Sequence, residues 1–259
     1  MKKFIESISN VWKIEELKNR ILITLGLLLV YRFGAQVTLP GIDATQLGNL
    51  AGQTKEGIGS ILDMFTGGAF SQASVFALGI MPYITASIVV QLMGIAIPYL
   101  QKLQSDGESG RKKINQITRW LTIGITLVQG PTYIYNLYRT LPSNAFLLGF
   151  NSFEFLFSSV IILVTGTIFA MWLGEKITDK GIGNGISLLI MVGILARFPQ
   201  AFIQEFTTRV TNNNGGPMLL VIEIIIWLLV IVCCVLLVMA VRRIPVQYAK
   251  RVVGSRQYG

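Results

Sequence analysis

Very few side chains in this sequence are suited to catalytic or metal-binding chemistry. The sequence contains no histidine, the residue that most often serves as a general acid, a general base or a metal ligand. Cys233 and Cys234 are adjacent within an apolar run, so we interpret them as small apolar side chains rather than zinc ligands. Glu223 is the clear candidate for a carboxylate inside a membrane. We therefore expect no enzyme activity, no metal site and no cofactor.

Two pairs of isoleucines have the spacing of residues that share one face of a helix. Ile80 and Ile84 are four residues apart, and Ile186 and Ile190 repeat that spacing in a second apolar segment. Taken alone, such pairs in membrane helices mostly contact lipid or other helices. Their interpretation therefore depends on the elements that carry them.

The composition predicts that these elements are membrane-spanning helices. Mean hydropathy is +0.60, with 52% hydrophobic and only 14% charged residues, which is far from a soluble domain. The charges also cluster between long apolar runs. We predict six spans, at about residues 21–39, 75–97, 120–138, 155–173, 186–202 and 218–241.

The distribution of basic residues predicts the orientation. With a cytoplasmic N-terminus, six spans place most of the Lys and Arg residues on the cytoplasmic side, as the positive-inside rule requires. The net charge of +9 is then a feature of topology, reinforced by anionic lipids of the cytoplasmic leaflet. Residues 1–20 interleave apolar side chains with Lys and Glu, which predicts an amphipathic helix on the cytoplasmic face in place of a cleaved signal.

One apolar run is too long for a single crossing. Residues 64–101 contain no Asp, Glu, Lys or Arg, and as one helix they would be about 57 Å long. The hydrocarbon core of a bilayer is only about 30 Å thick. Gly67-Gly68, Pro82 and Pro98 predict breaks in the run. Backbone that folds back at membrane depth is tolerated inside protein or beside a water-filled cavity, which indicates a pathway through the membrane.

Six short segments, taken in order along the chain, together resemble one family of membrane proteins. The chain resembles the N-terminal part of the SecY family, the central subunit of the bacterial protein-translocation channel. The resemblance covers essentially the whole sequence. It is carried by residues 65–69, 76–84, 107–111, 181–187, 242–244 and 248–251.

The resemblance implies an all-α polytopic membrane protein with the inverted-repeat channel fold, represented here by its first half and the sixth helix. The implied organisation is a cytoplasmic helix (1–20), transmembrane helices 1–4 (21–173) with a plug at about 58–72, helices 5 and 6 (174–241) and a cytoplasmic loop (242–259). The residues implied for the plug are Ser60, Ile61, Leu62, Asp63, Met64, Phe65, Thr66, Gly67 and Gly68. The residues implied for the apolar pore ring, which would gate by dewetting, are Ile80, Ile84, Ile186 and Ile190.

The resemblance also implies a lateral gate towards lipid and a docking surface on the cytoplasmic side. Polar residues on the matching gate helices are Thr85, Gln91 and Gln129, and the alternative is an ordinary hydrogen bond between helices. The residues implied for docking a ribosome or the SecA motor lie in two cytoplasmic loops. They are Arg111, Lys112 and Lys113 in the first loop, and Arg242, Arg243, Lys250, Arg251 and Arg256 in the second. These could instead be solvated positive-inside residues. Ser255-Arg256 replaces a pair of arginines that is common in the family.

The implied function is to pass unfolded secretory polypeptides across the bacterial cytoplasmic (inner) membrane and to release transmembrane segments into it. The implied partners are SecE and SecG, SecA or the ribosome, the secretory chain and anionic lipids. The family's chain is longer, so we expect the helices that complete the pore to lie outside this sequence. The alternatives are half of a secondary transporter, which should need intramembrane carboxylates, or a membrane scaffold.

Overall fold

The computed structural model describes residues 13–47, 58–142, 145–146, 152–211, 216–241, 251–253 and 256–258. The predicted amphipathic helix over residues 1–20 lies mostly outside these ranges. Its last eight residues fall within them, and there the first helix begins at Glu15.

The described residues are predominantly helical, which confirms the all-α prediction. The helices are α1 (Glu15–Gly34), α2 (Ile58–Thr66), α3 (Met81–Ala96), α4 (Pro98–Ser105), α5 (Gly107–Thr140), α6 (Ser152–Lys180), α7 (Gly185–Thr211) and α8 (Gly216–Met239). A short 3-10 helix covers Ala44–Leu47. Strands β1 (Arg251–Val253) and β2 (Arg256–Tyr258) form a small antiparallel pair within the predicted cytoplasmic loop, with Arg251 opposite Tyr258.

Residues 1–199 form one compact unit, and residues 200–259 form another. The first unit contains two buried apolar clusters. The first cluster joins the loop after α1 to α5 and α6 through Leu39, Leu137 and Leu163. The second cluster joins α1, α6 and α7 to the segment before α3, and Tyr31 stacks on Phe76 there with ring centroids 5.6 Å apart. The segment between α2 and α3 contributes to both clusters.

Three of the described helices are long and apolar enough to cross a membrane. They cover Phe153–Lys180, Gly185–Arg209 and Met218–Met239, and they correspond to the last three predicted spans. Helices α3 and α4 meet the same criterion only together, and they are bent by 103° at Ile97. The first and third predicted spans lie mostly in α1 and α5, which do not meet it. The total of six membrane spans therefore remains a prediction.

The first two predicted spans are not helical throughout. Helix α1 ends at Gly34, so residues 35–39 of the first predicted span are not helical. Helix α3 begins at Met81, so residues 75–80 of the second lie in a non-helical segment. Apolar residues continue beyond both helices because several of them, including Leu39, Phe76 and Ile80, are buried in the protein.

Helix α5 is much longer than the third predicted span. It contains 34 residues, which corresponds to about 51 Å at about 1.5 Å per residue. Its first turns carry Arg111, Lys112 and Lys113, which the sequence analysis placed in a loop. All three side chains are exposed, and Lys112 lies 3.7 Å from Glu108 one turn earlier. The basic segment is therefore the start of a rigid helix.

The second unit contains Glu223, the candidate intramembrane carboxylate singled out from the sequence. Glu223 of α8 accepts a hydrogen bond of 2.6 Å from Arg209, which also donates to Glu205 at 2.7 Å. Glu223 is thus part of an ion-paired group. The cysteines Cys233 and Cys234 are free thiols on an exposed stretch of α8.

Candidate plug and pore site

The predicted plug is a short helix that ends at the two glycines. The N–H of Gly67 donates to the carbonyl of Met64 (3.2 Å) and the N–H of Gly68 donates to that of Asp63 (2.9 Å). This pair of bonds defines a Schellman motif, which satisfies the last carbonyls of a helix. Both glycines have positive φ, 64° and 97°, a conformation that L-residues with side chains adopt only at a cost. The sequence therefore stops α2 at Thr66.

A charged group of three residues holds the turn that follows α2. The carboxylate of Asp63, which is 7% exposed, accepts from the N–H of Ser71 (2.8 Å) and pairs with Arg197 of α7 (2.8 Å). Arg197 also donates to the hydroxyl of Ser71 at 2.8 Å, and that hydroxyl donates to the carbonyl of Gly68 at 3.2 Å. We refer to Asp63, Ser71 and Arg197 as the plug-anchor cluster.

A second arginine and a close backbone contact hold the other side of the same turn. Arg32 of α1 donates to the carbonyl of Gly67 at 3.2 Å. On α7, a Cβ added at Gly193 would lie 2.7 Å from the carbonyl oxygen of Phe65. Such an approach requires glycine, because any side chain at this position would collide with the plug backbone. Helices α1 and α7 therefore both contact the end of α2.

The segment between α2 and α3 is buried although it is not helical. Ala73 is fully buried, and its carbonyl accepts a hydrogen bond of 2.8 Å from the N–H of Leu39. The carbonyl of Phe70 accepts from the hydroxyl of Tyr133 on α5, also at 2.8 Å. Protein groups thus satisfy irregular backbone in an apolar surrounding, which is the condition for such backbone at membrane depth.

The predicted pore-ring residues lie next to this segment. Ile80, which is 4% exposed, occupies the position before the first residue of α3, and its carbonyl accepts from the N–H of Ile84 at 3.1 Å. Ile80 belongs to the second cluster, and Ile84 and Ile186 pack against that cluster. Ile190 is partly buried and is not among the residues of the cluster. The structure thus brings three of the four residues to one cluster.

The glycine-rich motif before α7 positions Ile186. The side-chain oxygen of Asn184 accepts from the N–H groups of Ile186 (3.1 Å) and Ser187 (3.3 Å), so Asn184 caps the helix. A Cβ added at Gly174 of α6 would lie 2.9 Å from Cγ1 of Ile186. Ile186 therefore packs over a glycine of the neighbouring helix, a contact that its spacing from Ile190 does not indicate.

The predicted lateral-gate residues are exposed on their helices. The hydroxyl of Thr85 donates to the carbonyl of Met81 (3.1 Å), and the amide of Gln91 donates to the hydroxyl of Ser87 (3.2 Å). Both bonds lie within α3, so they are not the bonds between helices that the sequence analysis weighed. Gln129 is exposed on α5.

The predicted docking residues fall into two groups. Arg111, Lys112 and Lys113 project from the first turns of α5. Arg242, Arg243 and Lys250 lie outside the described residues. Arg251 and Arg256 begin the strands β1 and β2.

Sequence reasoning missed the residues that hold the turn after α2. It assigned no role to Arg32 or Arg197, and it placed Asp63 in the predicted plug without a partner. A signal was present, because two isolated arginines within apolar segments need a partner. Spacing along the sequence does not identify a partner that is more than a hundred residues away, as Asp63 is from Arg197.

These features define a polytopic helical membrane protein with a short helix and buried irregular backbone between its long helices. The sequence model of the SecY family matches residues 74–259. The chain belongs to the SecY family.

Curated relatives are similar over most of this chain. The chain is 42% identical to the protein translocase subunit SecY of Buchnera aphidicola subsp. Acyrthosiphon kondoi over 94% of this chain and 68% of that protein. It is 42% identical to SecY of Escherichia coli K12 and 43% identical to SecY of Haemophilus influenzae, in each case over 94% of this chain and 54% of the relative. The chain thus spans about half to two thirds of the length of these relatives.

Solved structures of translocation channels are similar at lower identity. Sec61 in the canine ribosome-channel complex is 20% identical, with a TM-score of 0.44 over 81% of this chain and 42% of that chain. A structure described as concerning the plug domain of SecY is also 20% identical. Its TM-score is 0.48 over 74% of this chain and 37% of that chain.

Proposed function

We propose that this chain contributes the plug and part of the pore ring of a protein-conducting channel. Unfolded secretory polypeptides would pass along Ile80, Ile84, Ile186 and Ile190, and the plug would fill the path at rest. The relatives of 42–43% identity are named protein translocase subunits, which supports a channel subunit rather than an enzyme.

One contact supports this function most strongly. Gly79, which directly precedes Ile80, has positive φ, and a Cβ added to it would lie 3.1 Å from Cγ2 of Thr66, the last residue of α2. The end of the plug therefore packs against the residue before the ring. In this position the plug and apolar side chains that exclude water would close the same path.

The remaining parts of the proposal concern orientation and partners. We place the N-terminus on the cytoplasmic side of the cytoplasmic membrane, where the basic start of α5 would face a ribosome or the SecA motor, and anionic lipid. SecE and SecG would associate with the complete channel. Thr85, Gln91 and Gln129 are exposed, which is compatible with a lateral gate whose contacts form only when the other half of the channel is present.

A secondary transporter fits the site less well. A transporter needs intramembrane carboxylates that bind and release an ion or a proton. Asp63 is paired with Arg197, and Glu223 is paired with Arg209. Both carboxylates are therefore already neutralised by arginines, which favours a structural role for them.

Crosslinking in the assembled channel tests the function. The native cysteines are first replaced by alanine, and single cysteines are then placed at Ile80, Ile84, Ile186 and Ile190. A secretory polypeptide that is arrested during translocation should form crosslinks to these positions.

The matched control is a cysteine at Met93, which is 40% exposed and lies on the opposite face of α3 from Ile84. We expect much weaker crosslinking there. Crosslinks of equal yield at Met93 and Ile84, or reaction of the ring cysteines with lipid-soluble probes only, would show that the polypeptide does not pass the ring.

A further inference from the structure

The plug turn is held by charged side chains from two different helices, although the surrounding residues are apolar. Arg197 of α7 reaches the carboxylate of Asp63 and the hydroxyl of Ser71, both at 2.8 Å. Arg32 of α1 reaches the carbonyl of Gly67 at 3.2 Å. A purely apolar plug would not need these groups, and burying charge is costly unless it is paired.

The contacts of Arg197 are specific to the seated plug. A Cβ added at Gly68 would lie 2.5 Å from Nη2 of Arg197, so the guanidinium lies directly against the backbone of the turn. Asp63 is also the residue whose carbonyl accepts from Gly68 in the Schellman motif. The ion pair and the helix end therefore form together, and the plug cannot leave α7 as a folded turn without separating Asp63 from Arg197.

We propose that the plug-anchor cluster is a gating device that retains the plug in the resting channel. This inference rests on the proposed channel function and assigns the regulation of its pore to Asp63 and Arg197. While the plug is seated, Asp63 is shielded from water and the attraction between the two charges is strong. When the plug moves, water reaches Asp63 as well as Arg197, whose side chain is already 38% exposed, and weakens that attraction. The cluster therefore favours two distinct plug positions over a gradual displacement.

A cysteine reporter on the plug segment tests this inference. Ala69 is fully buried and belongs to the second cluster, so Ala69→Cys in the assembled channel reports exposure of the plug turn to a membrane-impermeant maleimide. Cys233 and Cys234 are replaced by alanine in every variant. In the resting channel we expect Arg197→Gln to raise the labelling rate about tenfold or more, because it leaves the Asp63 carboxylate unpaired.

The double-mutant cycle separates loss of the ion pair from general destabilisation. Asp63→Asn should also raise the labelling rate, whereas Asp63→Asn combined with Arg197→Gln should label more slowly than either single variant, because no unpaired charge remains. Arg209→Gln is the matched control. It removes an arginine of the same helix whose ion pairs are with Glu205 and Glu223, and it should not change the labelling rate.

Two results would overturn the inference. One is an unchanged labelling rate in both single variants. The other is a double variant whose rate is the product of the two single effects, because that result would show that Asp63 and Arg197 act independently. The crosslinking experiment at the pore ring is separate. If only the plug anchor fails, the labelling results contradict it while the ring cysteines still crosslink to the polypeptide. If the channel function fails, the ring crosslinks are absent.

Discussion

The long apolar run contains two breaks, and they are built differently. At Gly67-Gly68 the chain turns with two positive φ angles inside the protein, and side chains from α1 and α7 reach the turn. At Ile97 the chain bends by 103° through an extended residue before Pro98. The hydrogen bonds at Ile97 are local, from its N–H to Met93 and from Gln101 to its carbonyl.

The difference shows which break carries information about function. The second break changes the chain direction where Ile95 and Tyr99 are largely exposed, and a proline with its preceding residue is sufficient for that. The first break depends on residues that are distant in the sequence. A turn that is buried, charged and held from two helices is a specific structure, which is why we assign the plug to it.

The largest expected effect comes from Gly68→Ala. The substitution places a Cβ at φ 97° and within 2.5 Å of Arg197, so it combines backbone strain with loss of the ion-pair geometry. We expect the free energy of unfolding to fall by about 2–4 kcal/mol, measured by denaturation in detergent.

The matched control is Gly107→Ala, at the start of α5. Gly107 also has positive φ, 65°, but a Cβ there has no atom within 4 Å. Only backbone strain acts at Gly107, so we expect the free energy of unfolding to fall by about 1 kcal/mol. Equal losses at both glycines would show that the contact of Gly68 with Arg197 contributes nothing.

A smaller effect is expected at the second break. Pro98 is at the first position of α4, where its missing N–H costs no hydrogen bond within the helix. Pro98→Ala should therefore change the free energy of unfolding by less than about 1 kcal/mol and leave the plug in place. Increased labelling of Ala69→Cys in this variant would show that the two breaks are coupled, which contradicts their distinction.

The sequence was sufficient to predict the local features of this fold. Glycine and proline restrict the backbone directly, so the breaks at Gly67-Gly68 and Pro98 could be located from residue type alone, whereas α3 begins at Met81 and not at the predicted residue 75. The starts of the three most apolar helices were also predicted to within three residues, because length and hydropathy determine them, whereas α6 and α7 extend beyond their predicted ends.

The rest depends on contacts between distant residues. Residues 75–80 have the hydropathy of a helix, but they are buried as irregular backbone because Phe76 stacks on Tyr31 and Ile80 packs in the second cluster. The extension of α5 to Gly107 was missed because Lys112 and Lys113 were interpreted as loop residues, although both are good helix formers. Arg197 was missed for a related reason, since its partner is defined only after α2 and α7 come together.

The resting conductance of the assembled channel tests the central claim most directly. The claim is that the plug and the isoleucine ring close one path. Ile84→Asn or Ile190→Asn places a group that hydrogen-bonds water in the ring and should increase the ion current through single channels in a planar bilayer that contains no translocating polypeptide. Met93→Asn, on the opposite face of α3 from Ile84, should leave the current at the wild-type level. Unchanged current in the ring variants, or an equal increase with Met93→Asn, would contradict the account.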